Sequence, residues 1–123
     1  MAKVIATLLP GPGRENGYIS VTIAKDGTVS EIADLGGFAT LGLLVPTLNA
    51  ANLTFQVSNL STGTFYDLYD KAGATKTILT MGTGAKAIES VDLEDLKGYR
   101  FVKIVASAAQ TTAARTLIWI VKG

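Results

Sequence analysis

Histidine and cysteine are both absent from this 123-residue sequence, and the two absences exclude more than any motif present. Histidine is the side chain whose charge changes closest to neutral pH. Cysteine supplies the thiolate nucleophile and the soft metal ligand. A serine nucleophile here would have only lysine or a carboxylate as its base, and no Gly-x-Ser-x-Gly elbow occurs. Disulfides are excluded as a source of stability, so packing must supply it. The expectation is a protein that is not an enzyme and carries no cofactor and no metal.

Charge is also scarce. Charged residues make up 17% of the chain against 48% hydrophobic, and eleven basic and ten acidic residues leave a net charge of +1 with no basic run. Affinity for nucleic acid comes largely from neutralised phosphates, so no nucleic-acid partner is expected. Few charges also leave little to keep copies of the chain apart. Long hydrophobic runs are missing too: Lys3 precedes only Val4 to Leu9, shorter than a signal-peptide core and far short of the ~20 residues that span a bilayer. A product made in a cytoplasm, with no membrane partner, is the expectation. The length fits one domain with one core.

What is present is β-strand pattern from end to end. Pro10-Gly11-Pro12-Gly13-Arg14 marks residues 1–16 as an extended arm or edge segment, since proline cannot donate to a sheet ladder. Residues 17–123 then form the domain. Tyr18 to Ala24 alternates with period two, and Asp26-Gly27 suits a tight hairpin turn before Thr28 to Ala33 returns. Phe38 to Val45 reads as a strand ended by Pro46, and Leu53, Phe55 and Val57 alternate with Thr54, Gln56 and Ser58. Thr64 to Asp70 and Thr75 to Met81 suggest a second hairpin. Asp92 to Gly98 resembles one capped helical turn. Two closing strands, Tyr99–Ser107 and Thr116–Lys122, flank a small polar loop. About eight or nine short strands with no long helix predict an all-β antiparallel sandwich, of jelly-roll type in preference to an immunoglobulin-like one.

Candidate chemistry is thin. Asp67, Asp70, Asp92, Glu94 and Asp95 are the dense carboxylates, but no calcium-loop spacing is present and no pair stands out as a glycosidase pair. Gly82-Thr83-Gly84-Ala85-Lys86 lacks the spacing of a phosphate loop and reads as a turn. Phe65, Tyr66, Tyr69, Tyr99 and Trp119 form the pool for a sugar-stacking platform. Strand alternation puts Phe65 and Tyr69 on one face and Tyr66 and Leu68 on the other, without saying which is inside. Leu117-Ile118-Trp119-Ile120-Val121 is apolar on both faces, which implies a strand buried on both sides or packed against a neighbouring subunit.

The succession Leu41-Gly42-Leu43-Leu44-Val45-Pro46, Ala50-Ala51-Asn52-Leu53-Thr54-Phe55-Gln56-Val57-Ser58, Phe65-Tyr66-Asp67-Leu68-Tyr69-Asp70, Leu96-Lys97-Gly98-Tyr99-Arg100-Phe101-Val102-Lys103-Ile104 and Ala113-Ala114-Arg115-Thr116-Leu117 resembles a group of small tailed-phage and prophage virion proteins. The resemblance spans roughly residues 30 to 121 and lies in strand content and turn placement. It implies a jelly-roll capsid decoration, or cement, protein on the outside of a phage head. It further implies a homotrimer bound to the major capsid protein in many copies, and no catalytic residue. Pro10, Gly11, Pro12, Arg14, Tyr18 and Trp119 are the candidate subunit or capsid contacts. The alternative is a carbohydrate-binding, lectin-like module or a tail or fibre accessory protein, with host glycans as partner.

Overall fold

The computed structural model describes residues 3–9, 16–36, 40–60, 62–69, 78–83, 85–88, 96 and 99–122. Among the described residues there are eleven strands: β1 (Lys3–Val4), β2 (Thr7–Leu9), β3 (Asn16–Ile23), β4 (Ile32–Asp34), β5 (Thr40–Val45), β6 (Ala51–Ser58), β7 (Tyr66–Asp67), β8 (Ile78–Gly82), β9 (Lys86–Ile88), β10 (Phe101–Ala106) and β11 (Arg115–Lys122). One sheet runs β1-β4-β10-β6-β7, with β8 also on β6, and the other runs β2-β3-β11-β5-β9.

The pairing partners identify the topology. Among the eight strands β3, β4, β5, β6, β8, β9, β10 and β11, the first pairs with the last, the second with the seventh, the third with the sixth and the fourth with the fifth. An antiparallel ribbon with that nesting closes when its turns lie side by side, and β11 against β5 and β10 against β6 supply those contacts. This is the jelly roll the strand pattern predicts. Strands β1 and β2 precede it and add one edge to each sheet. The described part of the N-terminal segment therefore lies on the sandwich, with β1 parallel to β4 and β2 antiparallel to β3. Gly17 permits that approach, since a Cβ there would stand 2.6 Å from the Thr7 carbonyl oxygen.

Alternation fills the space between the sheets. Ile19, Val21 and Ile23 of β3, Leu41, Leu43 and Val45 of β5, Leu53, Phe55 and Val57 of β6, and Leu117, Trp119 and Val121 of β11 are all buried in one cluster. Trp119 packs on Phe55 with ring centroids 6.1 Å apart, tilted by 45°. Its indole Nε1 finds no hydrogen-bond partner among the described residues, so volume, not polarity, holds it there.

Two local expectations are corrected, and a third falls almost wholly outside the described residues. The turn at Asp26-Gly27 exists, with Asp26 at φ 68°, but residues 28–34 do not return as a hairpin on β3. The Ile23–Ser30 bridge, the Glu31 N to Thr22 O bond of 3.2 Å and the bond from Thr22 N to Glu31 Oε1 of 3.0 Å join the two, short of a strand ladder. The segment crosses instead to β10, where Ala106 N donates to Thr28 O and Ser30 N to Ile104 O. Apolar residues on both sides of the turn must enter one core from opposite layers, and the crossing achieves that. Nor do β7 and β8 form a hairpin: both lie along the same edge of β6. Of the expected helical turn at 92–98 only Leu96 is described; it is buried and accepts from Tyr99 N at 3.1 Å.

Two polar anchors hold the sandwich together outside the ladders. Gln110 is fully buried, and its Oε1 accepts from Asn49 N at 2.7 Å while its Nε2 donates to Asn49 O and Ala108 O. Its backbone bonds Gly27 O and receives Asp26 N. One residue, through its side chain and its backbone together, thus ties three loops at one end of the molecule. On the other sheet, Asp34 accepts from Arg100 Nε and Nη2, both at 3.2 Å, and from Gly36 N, and pairs with Lys3 at 3.6 Å. Burial pushes the Asp34 carboxyl up, but the Arg100 hydrogen bond, the Gly36 N–H and the charges of Arg100 and Lys3 outweigh it and hold the pKa below its ordinary value. Lys3 and Arg100 also lie over the Phe101 ring, so this cluster clips β1 to the sheet.

Gln110→Ala should cost about 2–3 kcal/mol in denaturant unfolding, because it leaves both main-chain groups of Asn49 buried without partners; a loss near zero would remove Gln110 as the tie. Asp34 lowers its pKa on folding, so its contribution is full above the ordinary 3.8 and is lost as pH falls through the lowered folded value. The Tm gap between wild type and Asp34→Asn should therefore be present near neutral pH and close in acid. A gap that widens in acid would contradict that assignment.

Candidate functional site

Residues of β11 that do not point inward must point out, and the sequence places Ile118 and Ile120 there. The register sets Ile120 beside Tyr18 of β3 and Gly42 of β5, and Ile118 beside Ser20 and Leu44. The next outward pair, Thr116 and Thr22, is joined by a hydroxyl–hydroxyl contact of 3.2 Å. Tyr18, Leu44, Ile118 and Ile120 form the apolar wall of a depression on this face. With Gly17, Val121 and Lys122 as further lining, the depression holds about 510 Å³. Lys122 is the one charged residue of that lining.

An outer sheet face is ordinarily polar. Here Leu44 is 41% exposed and belongs to a contiguous apolar patch with half-buried Ile118, Ile120 and Tyr18. Apart from the Tyr18 hydroxyl and Lys122 the lining is apolar, an arrangement suited to excluding water against a matching surface.

The candidate contacts fare differently. Tyr18 lies in the depression. Trp119 does not: it is fully buried between the sheets, so its assignment as a contact is corrected. Strand parity is the reason, since Trp119 shares its face with Leu117 and Val121 while Ile118 and Ile120 carry the outer one. Pro10, Gly11, Pro12 and Arg14 fall outside the described residues, as do Asp70, Asp92, Glu94 and Asp95. Among the described residues no three acidic, histidine or cysteine groups gather as a metal site, and no helix is long and apolar enough to cross a membrane.

The aromatic pool also divides. Phe65 is half-buried beneath Lys103, whose Nζ stands 4.3 Å from the ring centroid. Leu68 plugs the core, whereas Tyr66 pairs with Val57 at the open edge of the sandwich and is 67% exposed. Tyr66, Tyr69 and Tyr99 meet there in a second hollow of about 360 Å³, with Val57, Ser58, Asn59, Asp67 and Leu68. Sequence spacing did not bring Tyr99 to Tyr66, because the contact joins strand edges far apart in the chain.

No family model matches the chain, and no curated protein matches it. Among solved structures, the SPBc2 prophage-derived protein YomS superposes with a TM-score of 0.52 over 88% of this chain and 95% of that one, at 15% sequence identity. The likeness is one of fold.

Adjacent residues of β5 give a direct check on the outer face. Leu44→Lys should change unfolding free energy by no more than about 0.5 kcal/mol and reduce binding of a hydrophobic dye such as ANS. Leu43→Ala, one residue away but buried, should cost about 2–5 kcal/mol. Equal costs at the two positions would mean that Leu44 is not at a free surface.

Proposed function

We propose that this chain is a structural virion protein of the capsid-decoration type, which binds the outside of a phage head in many copies and stabilises the shell. The observation that carries the reading is the apolar outer face around Gly42, a surface suited to permanent burial against another subunit. Its occupant is a neighbouring copy within a homotrimer. The face is almost uncharged, so identical copies meet there without like-charge repulsion.

Two further features support the reading. The fold is shared with a prophage-derived protein. Pro10, Gly11, Pro12 and Arg14 fall in sequence between β2 and β3, the strand that carries Tyr18, and a segment of that composition can add main-chain contacts to a capsid subunit without needing a core. Each contact is modest on its own. A trimer spanning several capsid subunits gains avidity from effective concentration, and binding to the assembled shell opposes its rupture by mass action.

Quantitative mass spectrometry of purified particles should find the chain at a copy number comparable with that of the major shell subunit. Sedimentation should give a trimer for wild type and a folded monomer for Ile118→Lys. Absence from particles or a handful of copies would overturn the shell role, and an unchanged mass for Ile118→Lys would overturn the assigned contact.

A further inference from the structure

The edge hollow at Tyr66, Tyr69 and Tyr99 is unlike the outer face in chemistry. Exposed tyrosines present flat π-faces together with phenol hydroxyls, and Tyr66 and Tyr69 are 67% and 46% exposed. Such rings favour the C–H-rich face of a pyranose, while hydroxyl, amide and carboxylate groups at the rim engage its ring hydroxyls. We propose that this hollow binds a neutral glycan, one or two hexopyranose units deep, by stacking on Tyr66 and Tyr69.

The surrounding groups are held in place before any ligand arrives. Ser58 Oγ donates to Leu60 O and accepts from Leu60 N, fixing the turn after β6. Asn59 Oδ1 accepts from Arg100 N at 3.3 Å, which orients its amide beside Tyr99. Gln56 Nε2 donates to Asp67 Oδ1 at 3.3 Å, and Leu68 N donates to Phe55 O at 2.9 Å, so the chain is tied to β6 at the two residues that follow Tyr66. Rings on a fixed frame lose little freedom on binding. The ligand is neutral because none of the described lining residues is a cation that would favour an acidic sugar, and the nearby Arg100 guanidinium is engaged by Asp34.

The glycan site goes beyond the decoration reading and does not need it. The hollow sits at the β6–β7 edge of one sheet, away from the outer face of the other, so a trimer built on that face leaves the hollow open. Affinity per site is expected to be weak, with Kd of about 1 mM, and repetition over many copies would raise it.

The test is a titration of the isotopically labelled full chain with cellotetraose, maltotetraose and chitotetraose, each to about 10 mM. Saturable amide shifts confined to residues 57–59, 66–69 and 99 are expected for at least one of the three. Tyr66→Ala and Tyr69→Ala should each weaken that binding at least ~10-fold with Tm unchanged, because both rings are exposed, while Ile118→Lys should leave it intact. No localised shifts with any of the three, shifts elsewhere, or undiminished binding by Tyr66→Ala would overturn the proposal. Failure of the trimer or of particle incorporation would bear on the decoration reading alone.

Discussion

Strand β11 is apolar on both of its faces, and its position between β3 and β5 makes that the governing constraint on the molecule. A strand cannot turn alternate residues to the same side. Leu117, Trp119 and Val121 go inward, close the core against Phe55 and fix the register of both neighbours. Ile118 and Ile120 are then committed outward, where Tyr18 and Leu44 join them around Gly42. On the proposed reading, this face is the one that a neighbouring copy covers.

The fold was largely legible because jelly-roll strands are short and alternate cleanly, with glycine and proline between them. Leu53, Phe55 and Val57 are inside as their period demands, and the strand expected to be apolar on both faces turns Leu117, Trp119 and Val121 inward and Ile118 and Ile120 outward. What sequence could not show is which sheet a strand joins. Residues 28–34 carry strand pattern after a turn of hairpin type, yet they pair with β10 because the wrapped ribbon must change layers there. The same blindness misplaced the contact on Trp119, since a large aromatic in an apolar strand gives no sign of its parity until the register is known.

The polar anchors were less legible still. Gln110 sits in a loop of alanine and threonine and reads as solvated, but burial turns its amide into the tie to the Asn49 loop while its backbone holds the turn at 26–27. Asp34 and Arg100 are 66 residues apart and carry no local signal. The tyrosine hollow belongs to the same class, because Tyr66 and Tyr69 come from one strand edge and Tyr99 from the approach to β10. Side chains that act together at long range are found through topology, and the jelly roll brings these together by laying β6 between β7 and β10.

The account stands on burial of the outer face in the assembled state. Hydroxyl-radical footprinting, comparing the chain diluted to monomer with the chain in its own oligomer or in particles, tests this most directly. Tyr18, Leu44 and Ile118 should become protected on assembly while Tyr66 stays reactive. Equal reactivity of Tyr18, Leu44 and Ile118 in both states would contradict the account.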